Sequence, residues 1–208
     1  MIAVITGDIV NSRELPSLWI EILKEALSAL PKEDTKWEIF RGDSFQIELP
    51  SQQALLTSVY IKACIKTIKG ADVRLSIGLG KKAKIATAKV TEASGEAYVN
   101  SGEGFDGLKS NKVNLVVKSP SVEFDEDMNL YFKLALIAMD SWSPIASEVV
   151  KQTIENQNEN QDKIAKISGR SQSSISEALK RAHFSEIMEL EKKYRLLVAK
   201  VFEQWKSY

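Results

Sequence analysis

Two aspartates are the residues most suited to chemistry in this chain. Asp8 follows Gly7 at the end of the apolar run Ile2 to Thr6, and Asp43 follows Gly42 in the break between Trp37–Phe40 and Ser44–Leu49. Two facing carboxylates with backbone carbonyls make an all-oxygen site, which suits Mg²⁺ held together with nucleotide phosphates. Without a cation, their mutual repulsion is costly. A Gly-Asp step also favours a turn, so each residue alone reads equally as a turn aspartate. Asn11, Ser12 and Arg13 follow Asp8, and Arg41 precedes Asp43; all four are candidate phosphate ligands, and a surface loop is the plain alternative for the first three.

A second constellation lies near the other end. Ala165, Gly169 and Ile175 have the spacing of a helix-turn-helix: a small residue where helices cross, a glycine for the left-handed turn, then a branched apolar residue. Ile164, Ile175 and Leu179 would form the shared core. The second helix opens Ser171-Gln172-Ser173, with Ser176 and Lys180 on its outer side. Short polar side chains there can reach base edges and phosphates. Arg170, Lys180 and Arg181 would add salt-dependent contacts to the DNA backbone. The alternative is an ordinary helical hairpin, or a module used for protein contact.

The elements that must position these residues follow from periodicity. Ile2 to Thr6 is a strand, and Leu18 to Leu30 a helix stopped by Pro31. Two strands then flank Arg41-Gly42-Asp43. A helix from Leu55 to Ile68 closes at Gly70, and Val73 to Leu79 alternates as a strand. This βαββαβ order is the ferredoxin-like unit, in which the end of the first strand and the tip of the middle hairpin share one edge. Asp8 and Asp43 are therefore expected to be neighbours. Lys81 to Thr91 reads as a loop, where Lys81, Lys82 and Lys84 could bind phosphate or simply be solvated. Ser94 is the expected cap of a helix to about Leu108, and Val113 to Val117 a fifth strand.

Beyond Pro120 the pattern is helical: 128–142, 144–154, 162–167, 171–181 and 184–205. The fold class is thus α+β, with a ferredoxin-like domain over 1–120 and an all-α domain over 121–208. The latter holds the helix-turn-helix at about 161–182 and a long C-terminal helix whose apolar stripe is expected to make a homodimer.

Composition narrows the classes further. Hydrophobic residues at 44% and charged residues at 27% are ordinary globular values. The chain lacks an apolar run long enough to cross a membrane, and its N-terminus reads as a buried strand, not a signal peptide. One cysteine, Cys64, precludes an internal disulfide and agrees with a cytoplasmic location. With one histidine, His183, a zinc site or a Ser/His/Asp set is not expected. Net charge is zero, yet residues 161–208 carry ten Lys/Arg against six Asp/Glu. That asymmetry suits a basic module on an acidic domain.

The segments GDIVNSR (7–13), FRGDSFQ (40–46), RLSIGLG (74–80) and SGEAYVNSGEG (94–104) resemble the SatD family of bacterial proteins over almost the full chain. The front domain more distantly resembles class III nucleotide cyclases and GGDEF diguanylate cyclases, whose palm fold carries one metal-binding acid after the first strand and another in the hairpin. The resemblance implies metal ligation by Asp8 and Asp43, and Asn100 looks like the cyclase catalytic Asn. Three positions depart from those families: Ser44 replaces the hairpin's fourth, acidic residue, Ile39 a base-reading Lys, and Gly104 the Arg that stabilises developing charge. The resulting expectation is a DNA-binding regulator whose front domain binds a nucleotide or other phosphorylated ligand with Mg²⁺. The alternatives are a nucleotidyl cyclase or transferase, or an interaction module with a degenerate palm.

Overall fold

The computed structural model of this 208-residue chain describes residues 1–40, 42–83 and 94–206. Arg41, Lys84 and the rest of 84–93 lie outside the described residues. Among the described residues a five-stranded sheet and eight helices form a mixed α+β architecture. β1 (Ile2–Ile9), β2 (Lys36–Phe40), β3 (Ser44–Pro50), β4 (Val73–Gly80) and β5 (Leu115–Lys118) line up as β2-β3-β1-β4-β5. β1 runs antiparallel to both β3 and β4, and β5 parallel to β4.

Alternation assigns each strand two faces. On one face Ile5, Phe45, Ile47, Leu75 and Ile77 are buried with α1 (Leu18–Ser28) and α2 (Ala54–Lys66) in the main core. Nearly every residue of α2 is buried, as a helix covered on all sides requires. Gly7 sits on this face because the Phe45 ring fills the place of a side chain: a Cβ on Gly7 would come within 2.5 Å of Phe45 Cζ.

The other face is polar, with Thr6 and Asp8 on β1, Gln46 and Glu48 on β3, and Arg74 and Ser76 on β4. α3 (Glu96–Asn111) covers part of it and lies directly on β4. A Cβ on Gly78 or Gly80 would collide with the α3 backbone at Ala97 and its neighbours. The glycine pair therefore serves helix-on-sheet contact. The α3 cap is Gly95, at φ 141°, with no side-chain cap bond, so Ser94 does not play that part.

The rear helices are α4 (Val122–Met139), α5 (Pro144–Glu155), α6 (Gln161–Ser168), α7 (Gln172–Arg181) and α8 (Phe184–Lys206). α4 starts six residues earlier than its apolar period suggests, because Ser121 caps it by accepting from the Phe124 N–H. Phe124, Met128 and Phe132 of α4, with Ile187, Tyr194 and Val198 of α8, join the same core as the sheet. Tyr194 packs near Phe124 and Phe132, each ring centroid 6.4 Å away, and its hydroxyl donates to Ser51 O at 3.0 Å. The core thus continues past residue 120, and Ile187, Tyr194 and Val198 of the α8 stripe are buried in it, while Leu190, Leu197 and Val201 are half-buried. A second, small core joins Val149, Ile164, Ala165, Ile175 and Ala178 of α5, α6 and α7. Among the described residues no helix is long and apolar enough to cross a membrane.

Candidate functional site

β1 extends through Ile9, so Asp8 lies within a strand, facing Ser44 on β3 and Arg74 on β4. This register decides its chemistry. Arg74 donates from Nε to Asp8 Oδ1 at 2.8 Å and from its terminal nitrogen to Oδ2 at 2.6 Å. A bidentate, largely buried guanidinium is a strong partner for a carboxylate, and it uses both oxygens.

Asp43 is next to this pair, as the hairpin topology predicts. Its backbone carbonyl accepts from Ile9 N–H at 3.2 Å, and its carboxylate accepts from the Ser12 hydroxyl. Asn11, at φ 53°, and Ser12 form the tight bend after β1; Asn11 and Arg13 are exposed. Among the described residues no cluster of three or more His, Cys, Asp or Glu side chains could hold a metal. In this arrangement Arg74 occupies both carboxylate oxygens of Asp8, so a cation shared by Asp8 and Asp43 would have to displace that guanidinium.

Asn100 is turned toward the sheet. It is 8% exposed, and its Nδ2 donates to Leu79 O at 2.7 Å, which ties α3 to β4. Gly104 faces Ser76, and a Cβ there would also come within 3.3 Å of Val116. At the position where the resemblance expects a charge-stabilising Arg, a side chain would require the Ser76 hydroxyl to turn away.

Much of the rest of the polar face is paired internally, although the buried Ser76 hydroxyl has no partner among the described residues. Thr6 and Ser101 share a hydroxyl hydrogen bond, and Gln46 donates to Thr6 Oγ1 at 3.1 Å. Glu48, 8% exposed, accepts from Lys82 at 2.6 Å and from the Tyr98 hydroxyl. Burial, then the bond to Glu48, pushes the Tyr98 phenol well above its ordinary value. Sequence reading missed Arg74, Glu48 and Tyr98 as partners. Alternation in β4 put Arg74 on the polar face, but only the β1–β4 register brings it to Asp8.

At the other site, three residues, Gly169 to Ser171, join α6 to α7. Gly169 is left-handed at φ 62°, and Arg170 N–H closes the turn on Ala165 O at 2.9 Å. Ala165 and Ile175 are buried at 5% and 0% exposure, as their spacing predicts. Ser171 caps α7 by accepting from Ser174 N–H at 3.2 Å, and Gln172 donates to Gln161 at 2.8 Å. Arg170 is turned back to Glu148 of α5 at 3.1 Å, so its expected backbone contact with DNA requires that ion pair to open. Ser173, Ser176, Lys180 and Arg181 are exposed along one side of α7, together with Glu177, which lies 3.8 Å from Arg181.

No protein-family model matches the chain, and no curated protein is significantly similar to it. Among solved structures, it is similar to the active GGEEF domain of a diguanylate cyclase from Vibrio cholerae. The identity is 13% and the TM-score 0.39, over 58% of this chain and 83% of that one. A likeness at that level assigns no activity.

Proposed function

We propose that the chain is a DNA-binding regulator in which α7 reads the duplex and the front sheet is a non-catalytic body of the cyclase-like, ferredoxin-like kind. The observation that carries this reading is the α6–α7 pair: a three-residue turn with a left-handed glycine, packed on α5, leaves the polar side of α7 uncovered. In such a pair the second helix enters the major groove with its N-terminal side chains against base edges. Ser173 and Ser176 are the base-edge candidates. Lys180 and Arg181 are the backbone cations, and Gln172 joins them by leaving Gln161. Ser171 acts as the helix cap that fixes α7, not as a contact.

The front sheet supports the non-catalytic part of the proposal. Asp8 is neutralised by Arg74, Asn100 donates to the Leu79 carbonyl, and Gly104 brings no cation to this face of α3. Phosphoryl transfer depends on metals and cations at the developing charge, so nucleotidyl transfer here would first require Arg74 to leave Asp8. A phosphorylated ligand read by Ser12 and Arg13 remains part of the proposal as a regulatory input, not a substrate.

The test is fluorescence anisotropy of a labelled duplex of mixed sequence at about 50 mM salt, where backbone-driven binding is strong. Wild type is expected to bind, and Ser176→Glu/Lys180→Glu to bind at least tenfold more weakly. No binding by wild type, or equal binding by the variant, contradicts the reading.

A further inference from the structure

α1 and α5 both pack on α2, and a groove runs between them on the side of the sheet away from Asp8 and Arg74. Two cavities lie along it. One, of about 600 Å³, is walled by Ile22 and Ala26 of α1 and by Pro144 and Ile145 of α5. The next, of about 530 Å³, is walled by Leu30, Pro31, Leu56 and Ile154. Ala29, Tyr60 and Glu155 line both, so these three residues mark where the cavities adjoin. Each volume is that of a small-molecule site, and the walls are largely apolar, as such sites are.

The polar groups at the junction are incompletely used. Tyr60, 6% exposed, donates to Glu155 Oε1 at 2.7 Å, and Lys151 approaches the same oxygen at 3.3 Å. No hydrogen bond among the described residues reaches the other oxygen, Oε2. Thr57 lines the second cavity and is 7% exposed, yet its hydroxyl makes no hydrogen bond among the described residues. Its neighbour Ser58 bonds back to Ala54 O at 2.8 Å, the usual way for a helical hydroxyl to be satisfied. Buried polar groups are normally paired, so an unpaired hydroxyl in a cavity wall points to a partner from outside the chain.

The charges on the walls are Glu25, Glu148, Glu155 and Lys151. Glu148 is paired with Arg170, and Glu155 with Lys151, which leaves Glu25 without an ion pair among the described residues. One negative charge is thus in excess, and it favours a ligand with one positive charge over an anion.

We propose that this groove binds a small organic monocation. Its primary ammonium donates to Glu155 Oε2 in the field of Glu25. Its apolar body lies among Leu30, Pro31, Leu56 and Ile154, with the Thr57 hydroxyl available to a polar substituent. The site is separate from the polar face of the sheet and does not depend on DNA binding.

Titration of phenethylamine into the full chain near neutral pH, followed by NMR chemical shifts, tests it, with phenylpropionate as the anion of matching shape. Wild type is expected to bind the amine with a dissociation constant of about 1 mM, ordinary for so small a ligand. Phenylpropionate should bind at least tenfold more weakly. Glu155→Gln keeps a carbonyl oxygen for Tyr60 but removes the charge, and Ala29→Trp fills the junction from an exposed position. Both are expected to fold as wild type does and to bind the amine at least tenfold more weakly. No saturation of wild type by about 20 mM, well above that constant, overturns the proposal. So does equal binding of phenylpropionate, or wild-type affinity in either variant.

Discussion

Arg74 holds both carboxylate oxygens of Asp8, at 2.8 and 2.6 Å, across the β1–β4 register. The residue best placed to bind a cation is thus already neutralised by the chain. Arg74→Ala is expected to destabilise the fold by about 1–3 kcal/mol, since it strands a largely buried carboxylate beside Asp43. The same variant should gain a stabilisation by Mg²⁺ that wild type lacks. Thermal melts with and without about 10 mM Mg²⁺, a concentration chosen to exceed a weak dissociation constant, check both outcomes. Equal Mg²⁺ responses would show that Arg74 does not take the place of a cation.

The contact between α3 and β4 makes a sharp pair of predictions. Gly78→Ala should cost about 2–3 kcal/mol, because its new methyl meets the backbone of Ala97 and Ser101, which cannot move aside independently. Gly102→Ala, in the same helix with open space at its Cβ, should be stabilising by about 0.5–1 kcal/mol through helix propensity. Chemical denaturation of both variants is the measurement.

Lys62 is 1% exposed and bridges Asp72 before β4 to Asp140 after α4, at 2.6 Å each, while Lys66 reaches Asp72 and the Asp140 carbonyl. This ionic cluster joins the sheet to the rear helices. Lys62→Met leaves both carboxylates without their central cation and is expected to cost about 3–5 kcal/mol. Adding Asp72→Asn to that variant should recover part of the loss.

Alkaline pH should unfold the chain early. Burial is the largest cause pushing the phenols of Tyr60, Tyr98 and Tyr194 above 10.0, and it pushes the Cys64 thiol up to about 12. Each group is held neutral in the folded state but ionises near its ordinary value when unfolded. The stability it contributes is complete below that ordinary value and falls as pH rises from there toward the folded value. Melting temperature is therefore expected to drop steeply above about pH 9–10. Native Cys64 should resist thiol reagents at pH 8, and a Tyr194→Phe variant should lose less stability between pH 9 and 11 than wild type.

Local features were legible from the residues themselves. The spacing of Ala165, Gly169 and Ile175 specifies the α6–α7 turn, because each residue acts within one turn of its neighbours. The alternation of Val73 to Leu79 sets the two faces of β4. What escaped sequence reading depends on residues far apart in the chain. Asp8 meets Arg74 only through strand register, Gly78 reads only as one residue of a strand, and Gly104 reads as a departure, until α3 is seen lying on β4. The α8 stripe was correctly apolar, but periodicity does not distinguish a stripe that faces the chain's own core from one that faces a second copy. Ser121, with Glu123 and Asp125 in the first turn, was a readable start for α4, masked by an apolar period that becomes clear only at Met128.

The central claim is that α7 touches DNA. The most direct measurement is the salt dependence of duplex binding by wild type and by Lys180→Ala. The account predicts a linear fall of log affinity with log salt for wild type, and a slope lower by about one in the variant, one phosphate contact having been removed. Binding that is absent at low salt, or a slope that Lys180→Ala leaves unchanged, would contradict it.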